Sequence, residues 1–77
     1  MSEKLPVVSG KAMVEFLEAR GFWQLPRTGG SHIVMTRDGM YRFSVPDHKE
    51  LRRGTATGIL RQAGISREEF FRHFRRH

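Results

Sequence analysis

The chain has 77 residues and no cysteine, and its 14 Lys and Arg against 8 Asp and Glu give a net charge of +6. This length predicts a single domain, residues 1–77. The absence of cysteine excludes disulfides, thiolate metal sites and a thiolate nucleophile. No apolar run is long enough for a membrane span or a signal peptide, so we expect a cytoplasmic protein without a membrane partner.

The positive charge is concentrated in the second half of the chain. Residues 39–77 hold nine of the 14 cationic side chains, and eight of those nine are Arg. The planar guanidinium matches the geometry of phosphate oxygens. The charge therefore favours a polyanionic partner such as RNA or DNA, although a merely solubilising surface is also compatible with it.

The first predicted element is a helix over Lys11–Arg20. Apolar side chains recur on one face of it, at Met13, Phe16 and Leu17. Ser9 is placed to cap its N-terminus, and Gly21 stands where a left-handed residue would end it. Residues 1–8 are predicted to be an extended lead-in.

Three short strands are predicted next, at residues 22–27, 31–37 and 40–45. In the second strand Ile33 and Met35 alternate with polar neighbours, as expected when one face of a sheet is covered. The Asp38-Gly39 pair predicts a two-residue hairpin turn, because such turns need positive φ. The strands should therefore form an antiparallel meander.

Two helices are predicted to complete the chain. One begins at about Thr55 and ends at Gly64. Ser66 and Glu69 have the spacing of a capping box for the last helix, whose aromatic face is Phe70, Phe71 and Phe74. The order α-β-β-β-α-α predicts an α+β fold, with helices packed on one face of a three-stranded antiparallel sheet.

Two other aromatic residues have two possible roles. Trp23 and Tyr41 lie on predicted strands, where single-strand-binding proteins place aromatic side chains that stack on bases. Side chains of this size are more often buried. We therefore predict that both belong to the core.

The turn Gly29-Gly30-Ser31-His32 is the first candidate for chemistry. Its glycines allow unusual φ and close backbone approach, and Ser31 adds a hydroxyl group beside N–H groups that an anion could contact. His32 carries the side chain of this turn that exchanges a proton near neutral pH. Alternatively, the glycines only form a turn and His32 is a polar strand residue.

A second candidate is the segment from His48 to Arg53. His48 follows a proline on a loop, and Lys49, Arg52 and Arg53 surround it with positive charge. The cluster could contact phosphate, with Arg27 near the glycine turn as a further cation, or it could be an ordinary exposed loop. No metal-binding spacing, Walker loop, dinucleotide fingerprint or nucleophile elbow occurs in the sequence.

These segments together resemble the HicA family, the toxin half of a bacterial type II toxin–antitoxin pair. The resemblance covers roughly residues 7–74. It rests on the order and spacing of "SGKAMVEFLEARGF", "GSH", "DGMYRFSVPDHKELRRGT" and "ILRQAGISREEFF".

The resemblance implies a fold similar to double-stranded RNA-binding domains and a metal-independent endoribonuclease activity on bacterial mRNA, without a cofactor. The family's catalytic histidine corresponds to His32, and the glycine and serine before it correspond to Gly30 and Ser31. Charge and proximity in sequence, and not the family motif, make Arg27, His48, Lys49, Arg52 and Arg53 the expected RNA-binding or supporting residues. A HicB-like antitoxin is the implied protein partner.

The sequence departs from the family pattern at Ala56, Thr57 and Gly58, where a larger apolar residue, a basic residue and a serine are usual. This departure weakens the case for an RNA contact from that helix face. Two other functions also fit the sequence: a non-catalytic RNA-binding module of the same fold, and a protein-interaction module that docks on an acidic partner.

Overall fold

The computed structural model describes residues 4–27 and 29–75. Its elements in chain order are α1 (Gly10–Glu18), β1 (Trp23–Gln24), β2 (His32–Thr36), β3 (Arg42–Pro46), α2 (Arg53–Ala63) and α3 (Arg67–Phe74). The sheet is antiparallel in the order β1-β2-β3. The predicted fold class and element order are therefore confirmed. No helix within the described ranges is long and apolar enough to cross a bilayer.

The core lies between one face of the sheet and the helices. Strand register pairs Ile33 with Val45 and Met35 with Phe43, and all four side chains are buried. The helices supply the other side of this core, chiefly through Met13, Phe16, Leu17, Ile59, Leu60 and Phe70. Because side chains alternate along a strand, the intervening residues of β2 and β3 point away from the helices.

The ends of α1 and α2 follow local sequence signals. Ser9 has an extended backbone and its hydroxyl accepts a hydrogen bond from the Ala12 N–H at 3.0 Å, as predicted for an N-cap. Gly64 adopts a left-handed conformation, φ 72°, and ends α2 as predicted. The helix begins at Arg53, two residues before the predicted start at Thr55.

The predicted capping box at the start of α3 is only half correct. The Ser66 hydroxyl accepts a hydrogen bond from the Glu69 N–H at 3.0 Å. The Glu69 carboxylate does not reach back; instead it accepts a hydrogen bond at 2.6 Å from Nε of Arg20, which lies just after the end of α1. The ion pair thus joins α3 to the end of α1.

Aromatic contacts hold α3 against α1. The Phe16 ring, which is fully buried, lies 5.4 Å from the Phe70 ring and 5.6 Å from the Phe74 ring. His73 is exposed, but the centroid of its ring also lies 5.0 Å from that of Phe16. The Arg20 guanidinium lies 3.9 Å from the centroid of the same ring. Such ring pairs contribute about 0.5–1.5 kcal/mol each beyond the area they bury.

The predicted two-residue turn at Asp38-Gly39 is wrong. Strand pairing stops at Thr36 and Arg42, so residues 37–41 form a wider connection. Thr36 Oγ1 accepts a hydrogen bond from the Gly39 N–H at 2.9 Å and donates one to the Tyr41 carbonyl at 2.8 Å. Side chains thus satisfy backbone groups that a tight hairpin would pair with each other. Thr36 is fully buried as a result of this arrangement.

The prediction that Trp23 and Tyr41 belong to the core is also wrong. Trp23 is 46% exposed and Tyr41 is 54% exposed. The neighbours of Trp23 explain its direction: Phe22 is buried in the core and Gln24 bonds Glu18 of α1, so Trp23 points to the opposite face. Tyr41 precedes β3, and its hydroxyl donates a hydrogen bond to Gln62 Oε1 at 3.3 Å.

A close backbone contact fixes the start of α1 against the end of β3. A Cβ atom at Gly10 would fall directly on the Pro46 carbonyl oxygen. The Gly10 N–H donates a hydrogen bond to the His48 carbonyl at 2.9 Å. The loop of residues 46–51 is held a second time where the Leu51 N–H bonds the Val8 carbonyl at 2.8 Å.

Two alanine substitutions at helical glycines should have opposite effects on the free energy of unfolding. Gly10→Ala forces the Pro46 carbonyl away and should destabilise the protein by about 1–3 kcal/mol. Gly58→Ala should stabilise it by about 0.5–1 kcal/mol, because Gly58 is within α2 and its missing Cβ would meet no neighbouring atom. Chemical denaturation of both variants measures the difference. Equal effects would contradict the close contact at Gly10.

Asp38 should add a pH-dependent contribution to stability. Hydrogen bonds from the backbone N–H groups of Met40 and Tyr41 lower the pKa of its carboxyl group below the usual value. A lowered folded-state pKa means that the contribution is present above the usual pKa and is lost as pH falls through the folded value. Asp38→Asn keeps an acceptor without the charge and should flatten the stability profile between about pH 5 and pH 2. An unchanged profile would contradict this role.

Candidate active site

His32 is the first residue of the central strand and its side chain is exposed. The next residue, Ile33, is buried in the core, so alternation places His32 on the face of the sheet away from the helices. His32 pairs in register with Pro46. Its imidazole makes no hydrogen bond within the described part of the chain, and both ring nitrogens are therefore available to a ligand.

The turn before His32 depends on two glycines. Gly29 and Gly30 have φ values of 102° and 84°, where a side chain would strain the backbone. No atom lies within 4 Å of a Cβ built at either position, so conformation and not space requires glycine there. Ser31 is exposed, and its hydroxyl has no hydrogen-bond partner among residues 4–27 and 29–75.

Arg27 and Asp47 hold this turn. Arg27 donates one hydrogen bond to Asp47 Oδ2 at 3.2 Å and another to the Gly30 carbonyl at 2.9 Å. The Asp47 N–H donates to the Ser31 carbonyl at 2.7 Å. The two side chains are 37% and 23% exposed, so the ion pair adds at most about 1 kcal/mol to global stability. Arg27 therefore supports the turn that carries His32.

The structure brings His48 to the same end of the sheet. His48 lies two residues after Pro46, the register partner of His32, and its side chain is exposed. It lines a cleft of about 300 Å³ together with Arg52 and Thr55. Glu50 also lines this cleft, so the surroundings are not uniformly positive.

The three cations after His48 surround the start of α2 but differ in their contacts. Lys49 is exposed and forms no ion pair within the described ranges. Arg52 is the N-cap residue, and no side chain caps the helix there. Arg53 donates from Nε to the Leu5 carbonyl at 2.8 Å, so part of its guanidinium is already engaged. Lys49 and Arg52 are thus the more available of the three.

Three residues that matter to this site were not identified from the sequence. Asp47 pairs with Arg27 across 20 residues, and no local pattern predicts such a pairing. Gly10 follows the N-cap Ser9, where glycine has no helical reason to occur, and that anomaly is a signal for close packing. Trp23 was assigned to the core although it is exposed on the same face as His32.

Side chains that commonly bind metals are scattered. No group of three or more His, Cys, Asp or Glu side chains suited to a metal ion occurs in the part of the chain that the structure describes. Asp47, the carboxylate nearest the glycine turn, is already bonded to Arg27.

Comparisons with known proteins agree on one family. Residues 10–65 match the model described as the HicA toxin of bacterial toxin–antitoxin systems. A chain in a solved structure described as a toxin–antitoxin complex from Streptococcus pneumoniae superimposes with a TM-score of 0.67 at 36% identity, covering 75% of this chain and 98% of that chain. No curated protein matches the sequence significantly.

Arg27→Ala should loosen the glycine turn without unfolding the protein. Removing the guanidinium takes away the contacts to Asp47 and Gly30, so the Asp47 amide hydrogen should exchange with solvent faster. The free energy of unfolding should change by no more than about 1 kcal/mol. Hydrogen exchange followed by NMR measures the first effect and chemical denaturation the second.

Lys49→Ala is the matched control, because it removes a cation from the loop that contains Asp47 without removing a hydrogen bond within the described ranges. It should leave the Asp47 amide unchanged. An Asp47 amide that stays equally protected in Arg27→Ala would contradict the supporting role of Arg27.

Proposed function

Because this chain belongs to the HicA family of toxins from bacterial toxin–antitoxin systems, we propose that it is a metal-independent endoribonuclease that cleaves mRNA, with His32 as its catalytic residue. The observation that carries the proposal is the exposed imidazole of His32 at the start of the central strand. A turn held by Arg27 and Asp47 delivers it there, beside a basic loop. An imidazole that is exposed, unbonded and firmly supported is suited to proton transfer.

RNA carries its own nucleophile, so one protein residue can accomplish much of the chemistry. The 2′-hydroxyl oxygen attacks the adjacent phosphorus, the bond to the 5′-oxygen of the next nucleotide breaks, and a 2′,3′-cyclic phosphate forms. His32 either takes the proton from the 2′-hydroxyl or gives one to the departing 5′-oxygen. A positioned acid or base of this kind typically accelerates a reaction about 10²–10⁴-fold.

The cations near the start of α2 supply the charge that this reaction needs. Negative charge on the phosphoryl oxygens increases toward the transition state, and fixed cations stabilise it. Lys49 and Arg52 are exposed at the loop that follows Pro46, and the N-terminus of α2 adds a partial positive charge. We assign Lys49, Arg52 and Arg53 to phosphate contact and His48 to RNA binding within the same cleft.

A protein partner belongs to the same proposal. The superimposable chain comes from a toxin–antitoxin complex, and this supports an antitoxin as the partner of the present chain. We propose an antitoxin of the HicB type that covers His32 and the basic loop. A bacterial cytoplasmic location follows from the proposed substrate, since mRNA is there.

His32→Ala should lower the rate of RNA cleavage about 10²–10⁴-fold while RNA binding and thermal stability are retained. The exposed side chain makes no contact on which the fold depends, but its loss removes about 10²–10⁴-fold of rate. Cleavage of a labelled RNA by purified wild type and variant measures the effect. The products should end in 2′,3′-cyclic phosphate, and EDTA should not change the rate.

The matched control is a DNA strand of the same sequence, which lacks the 2′-hydroxyl and should remain intact. DNA cleavage or EDTA sensitivity would overturn the mechanism. Wild type that binds RNA without cutting it would show a non-catalytic RNA-binding module. Binding that is insensitive to salt would instead favour a protein-interaction module, because phosphate contacts weaken steeply as salt rises.

A further inference from the structure

The sheet has a second face that no helix of the described chain covers, although Thr36, which belongs to this face by register, is buried under the 37–41 connection. We call it the open face. Its side chains point away from the helices, and six of them define it: Trp23, Leu25, His32, Val34, Arg42 and Ser44. Leu25 and Val34 are half-buried, while the other four are exposed. The candidate catalytic imidazole and the exposed indole therefore share one surface.

The packing of the core does not require the large side chain of Trp23. Its strand β1 consists of two residues, and the adjacent Phe22 already fills the core position. The indole is 46% exposed, so about half of a large aromatic surface is in contact with water. An aromatic ring presented in this way on a strand can stack on a nucleobase.

The charge of the open face suits a polyanion, and the exposed indole on the same face favours a nucleic acid over an acidic protein surface. Its ionisable side chains are His32 and Arg42, and none of its six defining residues is a carboxylate. The cleft between α1 and the sheet is different. It measures about 280 Å³, and its lining combines the carboxylates of Glu15 and Glu18 with the cations of Lys11 and Arg27, so it has no excess of positive charge.

Strand register gives the dimensions of this surface. Trp23 pairs with Thr36, and Thr36 pairs with Arg42, so the indole and the guanidinium lie two strands apart, roughly 10 Å. His32 lies four residues from Thr36 along β2, roughly 13 Å. This distance along β2, from the position of Thr36 to His32, is about four times the ~3.4 Å rise between neighbouring bases in a nucleic-acid strand.

We propose that the open face binds single-stranded RNA and that Trp23 stacks on one base of the bound strand. Arg42 contacts a phosphate beside that base. The same strand continues along β2 to His32, which acts a few nucleotides away. The part of this inference that concerns cleavage rests on the proposed function; the binding platform does not. Trp23 is a positioning residue, because it holds the strand and takes no part in the proton transfer.

The single tryptophan makes the contact directly measurable. Trp23 is the only Trp in the sequence, so intrinsic indole fluorescence reports on this position alone. The probe is a short single-stranded RNA with 2′-O-methyl riboses, which lacks the attacking hydroxyl and survives with the wild-type protein. Titration should quench the fluorescence to saturation, at the same concentration at which anisotropy of the labelled strand saturates. A duplex of the same sequence should quench little, because its bases are stacked inside.

Variants separate stacking from general binding. Trp23→Ala should weaken binding of the strand about 5–150-fold at fixed salt, as expected for the loss of one stacked base. Trp23→Phe keeps an aromatic ring and should restore most of the affinity. Met40→Ala is the matched control for the loss of an exposed apolar side chain: Met40 is 84% exposed and is not one of the six residues that define the open face, so the variant should bind like wild type. For cleavable RNA, Trp23→Ala should raise KM more than it lowers kcat.

Two results would contradict the proposal that Trp23 stacks on a bound base. One is saturated RNA binding without quenching of the Trp23 fluorescence, and the other is equal affinity of Trp23→Ala and wild type for the strand. A loss of affinity for the antitoxin alone, with RNA binding unchanged, would make the open face a protein interface. A failure of the proposed ribonuclease activity would give a different result. Cleavable RNA would stay uncut, while RNA would still quench the Trp23 fluorescence and Trp23→Ala would still bind the strand more weakly.

Discussion

Contact between the first turn of α1 and the end of β3 is the constraint on which the site depends. Gly10 has no side chain, so the helix lies directly against the Pro46 carbonyl, and its N–H bonds the carbonyl of His48. The same loop then holds the glycine turn through the Asp47 N–H and the Arg27 ion pair. The loop of residues 46–51 thus connects α1 to the residues around His32, and most of the contacts that fix their relative positions are made by backbone groups, which have no rotamer freedom.

Central strand β2 serves the core and the candidate site together. Ile33 and Met35 fill the interior, while His32 and Val34 face the other way. Because neighbouring residues of a strand point to opposite faces, tight packing on one side fixes the direction of side chains on the other. The strand therefore determines to which face of the sheet the His32 imidazole points. The glycine-rich turn before it can be exposed without changing that direction.

Local signals in the sequence predicted most of the local structure, with the turn at Asp38-Gly39 as an exception. Interactions between residues that are distant in sequence could not be predicted. Ser9, Gly64 and the alternation through Ile33 and Met35 act within a few residues, so the ends of helices and the buried face of the sheet could be predicted. Glu69 instead bonds Arg20, 49 positions away in sequence, and Arg27 bonds Asp47, 20 positions away. The direction of Trp23 depended on which face the helices cover, and a two-residue strand carries no such information. The histidine of the candidate site was visible in the sequence; the acidic residue that steadies its turn was not.

Helix α3, Arg67–Phe74, lies beyond the segment that matches the family model, residues 10–65. It covers the Phe16 ring with Phe70 and Phe74, and the Arg20–Glu69 pair ties it to the residues that follow α1. The consequence concerns the lifetime of the protein in a cell. Detachment of this short helix would expose a large aromatic side chain of α1, and proteases act on segments that open locally. Amino-acid changes in α3 can therefore alter the rate of degradation without replacing any residue of the candidate site.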